Sequence, residues 1–236
     1  MGQQAWADNL VRRIDGYCER VSEAFWAEPV NALTNMAFLI AAAIAFDYAK
    51  RRGRIDFAVG FLLINLTVIG IGSFLFHTFA TVWAAMTDTI PIMIFIIAYF
   101  AAAMRYFVGL SARGTAIAVV VLLFAFPASS AALRPIFLPL IGGSVSYVPA
   151  LLMLVAVGAY LWRKGHAAGP NLVAGGALFA VSLTFRALDQ PVCNQFPTGT
   201  HFAWHVCNGT LLGFLIYTLV RHRNDAADLP VRPAQA

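Results

Sequence analysis

Long apolar runs separated by short polar segments dominate the chain. Runs of about twenty apolar residues are long enough to cross the hydrocarbon core of a bilayer as helices. They fall near 30–49, 57–80, 86–107, 114–132, 145–162, 171–188 and 200–220, with prolines and the Gly142–Gly143 pair blurring the boundary between the fourth and fifth runs. Transmembrane strands would instead give segments of about ten residues with alternating polarity. The pattern therefore predicts an all-α membrane protein, a bundle of seven transmembrane helices.

The composition agrees with a single membrane-embedded domain. Of the 236 residues, 60% are hydrophobic and 11% are charged, whereas an average soluble domain has about 25% charged residues. The first 28 residues are polar and lack the apolar core of a signal peptide. We predict an extracytoplasmic arm at 1–28, a helical domain at 29–222 and a cytoplasmic tail at 223–236 that lacks fixed structure.

The distribution of basic residues predicts the orientation of the bundle. Cytoplasmic loops of membrane proteins are enriched in lysine and arginine. Most of the 16 basic residues flank the same ends of the predicted helices: Lys50, Arg51, Arg52, Arg54, Arg105, Arg113, Arg163, Lys164, Arg221, Arg223 and Arg232. We therefore place the N-terminus outside and the C-terminus in the cytoplasm. The net charge of +5 follows from this topology, so we expect no nucleic-acid partner.

Five polar side chains interrupt the apolar runs and fall at the same predicted membrane face. They are Ser73, His77, Asp88, His201 and His205. Residues four apart share one face of a helix, and two histidines at this spacing can bind one metal ion. The set predicts zinc held by His77, His201 and His205. The alternative is a hydrogen-bonded polar cluster that holds helices together.

Three histidine ligands would leave a fourth position on zinc for water, as in catalytic zinc sites. Asp88 could then accept a proton from that water, and Ser73 could donate to the oxygen that becomes negative in the transition state. This chemistry predicts hydrolysis of an amide or ester. Because the site lies at the membrane face of a bundle with little soluble mass, we expect a membrane lipid as the substrate.

The N-terminal arm carries a second candidate metal site. Asp15, Glu19 and Glu28 supply hard oxygen ligands that suit calcium, although a solvated acidic arm would explain the same residues. Cys18 and Cys193 both fall on the outer side, where an oxidising compartment permits a disulfide. Other polar residues are expected to be structural: Arg186 and Asp189 as an ion pair, and His166 as a solvated loop residue.

Taken together, these residues resemble one known family. Tyr17-Cys18-Glu19, Ala27-Glu28 with Asn31 and Asn35, Ser73-x3-His77-x10-Asp88, Asp189 with Cys193, and His201-x3-His205 are similar to the alkaline ceramidases, seven-helix intramembrane zinc amidases. The serine, histidine and aspartate spacing with the paired histidines is shared by a wider superfamily that includes the progestin and adiponectin receptors. The acidic arm and its cysteine narrow the resemblance to the ceramidases.

The resemblance implies zinc at His77, His201 and His205, with Ser73 and Asp88 as catalytic residues. It also implies a bond between Cys18 and Cys193. A calcium site would use Glu19 and Glu28, with Asp15 and the Tyr17 carbonyl as further ligands. The arm departs from the family here, because Val21 stands where the family has asparagine and Gly16 follows Asp15.

The expected activity is therefore zinc-dependent hydrolysis of the N-acyl bond of ceramide or a ceramide-like lipid. The rival hypothesis is a lipid receptor or sensor of the same superfamily that binds lipid without turnover. A transporter would be expected to show repeat symmetry and broken helices, and the sequence has neither. The short, alanine-rich chain looks bacterial, which predicts an inner-membrane protein with its site toward the periplasm.

Overall fold

A computed structural model describes residues 3–223, and these are helical apart from the arm at 12–28, one isolated β-bridge and short connections. The helices are α1 (Gln3–Val11), α2 (Pro29–Thr34), α3 (Met36–Arg51), α4 (Phe57–Phe79), α5 (Val82–Tyr106), α6 (Ala112–Ile141), a 3₁₀ helix (Gly142–Tyr147), α7 (Val148–Arg163), α8 (Ala168–Val192) and α9 (His201–His222). The predicted all-α class is confirmed. Nearly all of the predicted tail lies outside the described residues.

Six helical stretches of the described chain are long and apolar enough to cross a membrane. Helices α2 and α3 form one of them, from Pro29 to Arg51. Helix α6, the 3₁₀ helix and α7 together form another, an uninterrupted stretch of 52 residues from Ala112 to Arg163. At 1.5 Å per residue this stretch would measure about 78 Å if straight, far more than a bilayer core of about 30 Å. The chain is thus a multi-pass membrane protein, and the count of seven spans stays a prediction.

Helix α6 is longer than the apolar run at 114–132 indicated, because it continues through two prolines. Pro135 and Pro139 lie inside the helix, which ends only at Gly142 with a positive φ of 54°. Within membranes, neighbouring groups can satisfy the backbone carbonyls that a proline leaves unpaired. Proline was therefore a weaker stop signal here than in a soluble helix.

The outer surface of the bundle is apolar, as contact with lipid requires. Phe57, Phe124 and Leu140 are 88%, 75% and 73% exposed. Monomeric soluble proteins rarely expose large apolar patches, and such patches mark a surface that meets a membrane or another protein.

Glycines allow the helices that carry the candidate site to pack closely. A Cβ on Gly72 of α4 would lie 2.0 Å from the carbonyl oxygen of Thr87 on α5. Gly209 of α9 is similarly close to the backbone of Ala37 on α3. Small residues at such contacts let helix backbones approach each other in a membrane. Helices α3, α4, α5 and α9 are thereby held against one another.

The N-terminal arm folds back over the connection between α4 and α5. The Ile14 N–H donates to the carbonyl of Ala80 at 2.8 Å, and the Val82 N–H donates to the carbonyl of Arg12 at 3.1 Å. The arm therefore covers the end of α4 and does not extend into solvent.

His166 does not occupy the solvated position that its basic neighbours suggested. It is 2% exposed. Its Nδ1 accepts the N–H of Ala168 at the beginning of α8, and its ring packs 5.4 Å from that of Phe107. That prediction was wrong, because the imidazole caps a helix.

Candidate metal centre

Three histidines from two helices meet beneath the arm. His77 lies in the last turn of α4, while His201 and His205 lie in the first two turns of α9. Their ring centroids are 4.6–5.1 Å apart, and each residue is only 1–2% exposed. One ligand nitrogen from each ring lies within 4.8 Å of the other two. The structure thus brings together the three residues that the sequence singled out.

Each of these rings has a buried nitrogen without a hydrogen-bond partner among residues 3–223. These atoms are Nε2 of His77, Nδ1 of His201 and Nε2 of His205. Buried polar atoms are nearly always satisfied in native proteins, so three orphans in one cluster require an explanation. Neutral imidazole nitrogens are common zinc ligands. The donor set therefore fits a zinc ion.

Two of the rings are oriented by acceptors on their far side. Nδ1 of His77 lies 2.6 Å from the Glu28 carboxylate, which can only accept a hydrogen bond. Nδ1 of His205 lies 3.0 Å from the hydroxyl of Thr34, which itself donates to the carbonyl of Val30 at 2.8 Å. Both rings therefore carry their proton on Nδ1 and direct the Nε2 lone pair into the cluster, as is usual for metal-ligating histidines.

Glu28 is held in turn by a buried arginine. Its Oε1 forms an ion pair with Nε of Arg20, and the two side chains are 3% and 4% exposed. Burial acts to raise the pKa of Glu28, but the hydrogen bond from His77 and the charge of Arg20 outweigh it and hold the pKa below its usual value. Glu28 is therefore ionised where it accepts from His77.

Asp189 fixes the beginning of α9. Its Oδ1 accepts the N–H groups of Thr200 at 2.8 Å and His201 at 2.9 Å, and its Oδ2 accepts the N–H of Cys18 at 3.0 Å. The first N–H groups of a helix lack internal partners and attract negative charge. The carboxylate thus joins the arm to the turn that carries His201.

Arg186 does not pair with Asp189, so that prediction was wrong. Its Nη1 donates to the Ser144 hydroxyl at 3.1 Å, and its Nη2 donates to the Tyr17 hydroxyl at 3.3 Å. The Tyr17 ring stacks on His201, with centroids 3.6 Å apart. Burial raises the pKa of the Tyr17 phenol, so its hydroxyl stays protonated.

Ser73 and Asp88 also lie at the histidine cluster. The Ser73 side chain is buried one turn before His77, and its hydroxyl interacts with the Asp88 carboxylate. Asp88 also lies near His77 and Arg186. The close approach at Gly72 brings α5 near enough for this contact.

Two cavities adjoin the cluster. One of about 560 Å³ has Tyr17, Asp88, Arg186 and His201 in its wall. A second of about 80 Å³ is almost wholly apolar, with aromatic and aliphatic side chains from α5, α7, α8 and α9. Trp204, whose ring centroid lies 6.4 Å from that of His201, belongs to the walls of both.

Cys18 and Cys193 form the expected disulfide. Their Cα atoms are 5.3 Å apart, and the bond joins positions 175 residues apart in sequence. It fastens the arm to the end of α8, next to Asp189.

The carboxylates of Asp15, Glu19 and Glu28 do not come together as a metal-binding group among residues 3–223. Glu19 and Glu28 are buried, which also excludes a solvated arm for these two residues, and their oxygens are hydrogen-bonded within the protein. Asp15 is exposed. The three histidines are the group of His, Cys, Asp and Glu side chains in residues 3–223 that could hold a metal.

Sequence reasoning missed three residues around the site. Arg20, Thr34 and the ring of Tyr17 all contact it, although none belongs to a spacing pattern. A basic residue within an acidic arm was the available signal for Arg20, and Thr34 lies between Asn31 and Asn35 on a polar face.

Comparison with known proteins agrees with this arrangement. The family model described as Ceramidase matches residues 14–228. No curated protein matches the chain. Because the family match spans most of the sequence, including residues 14–28 of the arm and all site-bearing helices, the chain belongs to the ceramidase family.

Proposed function

We propose that this protein is a zinc-dependent intramembrane amidase that hydrolyses the N-acyl bond of ceramide or a ceramide-like lipid. The products would be a sphingoid base and a fatty acid. Membership of the ceramidase family supports the reaction class. The observation that carries the zinc assignment is the buried cluster of three imidazoles, each with an unpaired nitrogen.

His77, His201 and His205 would hold the zinc ion. When bound, zinc polarises a carbonyl oxygen and lowers the pKa of a water molecule to near neutrality. Glu28 and Thr34 fix the tautomers of His77 and His205, so both rings offer a lone pair without rearrangement. Such outer partners raise metal affinity.

Ser73 and Asp88 would act on the scissile amide. Asp88 would accept a proton from the attacking water and return it to the departing amine nitrogen as the C–N bond breaks. Ser73 would donate its hydroxyl hydrogen to the carbonyl oxygen as negative charge develops there. The place of both side chains beside His77 supports these roles.

The cavities suit a lipid with a polar centre. The larger cavity, with Asp88, Arg186 and His201 in its wall, would take the amide and its headgroup. The apolar cavity that shares Trp204 would take part of a hydrocarbon chain. This arrangement would leave the amide next to the histidines.

Seven spans would explain how the histidines come together. An even number of crossings between the end of α4 and the beginning of α9 is needed to bring His77 beside His201. Helices α5, α6, α7 and α8 provide four crossings if the 52-residue stretch crosses twice. With basic residues on the cytoplasmic side, the arm at 1–28 and the site would face the periplasm of a bacterial inner membrane. Residues 29–222 would form the hydrolase domain.

Fatty-acid release from a panel of N-acyl lipids tests the proposal. Wild-type protein should release fatty acid in proportion to its zinc content, and His201→Ala should lose both zinc and turnover. His222→Ala, at the far end of the same helix, is the matched control and should retain both. Zinc without turnover of any lipid would favour the receptor hypothesis, and a wild type without zinc would exclude the mechanism.

A further inference from the structure

The arm contains a buried arginine at the place where calcium was expected. The Glu19 carboxylate is already bound to the backbone of α2. Its Oε1 accepts the N–H of Val30 at 2.6 Å, and its Oε2 accepts the N–H of Asn31 at 2.8 Å. The carboxylate thus caps the first turn of α2, where negative charge is stabilising.

Glu28 is also fully engaged. Its Oε1 pairs with Arg20, while its Oε2 accepts from Nδ1 of His77 at 2.6 Å and from Nδ2 of Asn31 at 3.2 Å. The carbonyl of Tyr17 accepts the N–H of Arg20 at 3.2 Å. Calcium requires six to eight oxygen ligands, whereas the oxygens of Glu19, Glu28 and the Tyr17 carbonyl each already accept a hydrogen bond from the protein.

The Arg20 guanidinium makes three contacts that a bridging cation would make. Nε binds Glu28, Nη1 donates to the carbonyl of Ser22 at 3.2 Å, and Nη2 donates to the carbonyl of His77 at 3.0 Å. These acceptors belong to the arm, the beginning of α2 and the end of α4. One cation therefore joins the arm to the helix that carries a zinc ligand.

We propose that Arg20 replaces the calcium ion expected from the family resemblance, so that an internal guanidinium positions Glu28 and, through it, His77. A buried carboxylate needs a compensating positive charge. Arginine supplies it permanently, because the guanidinium is not deprotonated in proteins. The zinc site would thus be independent of calcium.

This inference concerns a positioning residue of the proposed zinc site, but calcium binding and zinc affinity can be measured without any hydrolysis. Wild-type protein, Arg20→Ala, Arg20→Lys and Arg12→Ala would be purified as full chains in detergent. Arg12 is an exposed arginine of the same arm and serves as the matched control. Calcium binding would be measured by equilibrium dialysis with radioactive calcium up to about 1 mM, the range of weak extracellular calcium modules.

Zinc affinity would be measured by competition with a chromophoric chelator, with and without calcium. We expect wild type to bind no calcium and its zinc affinity to be unaffected by calcium. Arg20→Ala should weaken zinc binding about 10- to 100-fold, the usual effect of losing an outer partner of a ligand. Arg20→Lys keeps the charge and should recover part of this loss, whereas Arg12→Ala should match wild type.

Two results would overturn the proposal. The first is one calcium ion bound per wild-type chain with a matching gain in zinc affinity. The second is unchanged zinc affinity in both Arg20 variants. If Arg20→Ala does not fold, wild-type dialysis and Arg20→Lys still decide the question. A protein that binds zinc but hydrolyses no lipid would refute the proposed function and leave this inference standing.

Discussion

Replacing Asp189 with asparagine should destabilise the first turn of α9 and weaken the metal centre. The carboxylate, 1% exposed, accepts three backbone N–H groups, from Cys18, Thr200 and His201. The amide oxygen of asparagine can keep the two bonds to α9, but its NH₂ group would face the N–H of Cys18, so two donors would meet.

The expected loss of stability can be worked out from these three hydrogen bonds. A hydrogen bond to a charged group contributes about 1.5–3 kcal/mol and a neutral one about 0.5–1.5 kcal/mol. Losing one charged bond and weakening two others gives a loss of about 3–5 kcal/mol in the free energy of unfolding. Because His201 begins the helix that would fray, zinc affinity should fall at least about tenfold.

Denaturant unfolding in detergent measures the free energy of unfolding, and competition with a chelator measures the zinc affinity. Asp47→Asn is the matched control, because Asp47 forms an exposed ion pair with Arg51 at 2.9 Å. Such pairs contribute less than about 1 kcal/mol. If Asp189→Asn had the same stability and the same zinc affinity as Asp47→Asn, the conclusion that Asp189 holds His201 in place would be refuted.

Three further changes probe the packing around the site. Gly72→Ala would place a Cβ 2.0 Å from the Thr87 carbonyl oxygen, so thermal unfolding should show a loss of about 1–3 kcal/mol; an unchanged melting temperature would contradict the close packing of α4 and α5. Gly199→Ala combines a φ of +63° with a Cβ 2.0 Å from Oδ1 of Asp189, and its zinc affinity should fall as in Asp189→Asn; wild-type affinity would argue against the contact. Changing Cys18 and Cys193 together to serine removes the bond between positions 175 residues apart and should lower the free energy of unfolding by about 2–5 kcal/mol. Treating wild type with a reductant should produce the same loss. A double variant as stable as oxidised wild type would contradict the prediction.

The positions of the helices could be predicted from sequence because apolar runs of membrane length are a strong signal. The histidine cluster could be predicted because the i, i+4 spacing and the number of spans both constrain where side chains lie. The length of α6 could not be predicted, because Pro135 and Pro139 are tolerated inside a membrane helix. Local patterns therefore identified the elements and the histidine cluster.

The partners of buried charges were not predictable from spacing. Arg186 and Asp189 are three residues apart, yet each bonds to groups more than ten residues away. Arg20 reaches the carbonyl of His77, 57 residues along the chain. Such contacts depend on how the arm folds over α4, and the spacing of residues does not determine that fold.

Zinc K-edge X-ray absorption of the purified protein tests the central claim most directly. The account predicts one zinc per chain with three imidazole nitrogens at about 2.0–2.1 Å and one further oxygen ligand. His205→Ala should remove the imidazole signature together with the metal. A protein without zinc, or zinc bound by sulfur at about 2.3 Å, would contradict the three-histidine centre.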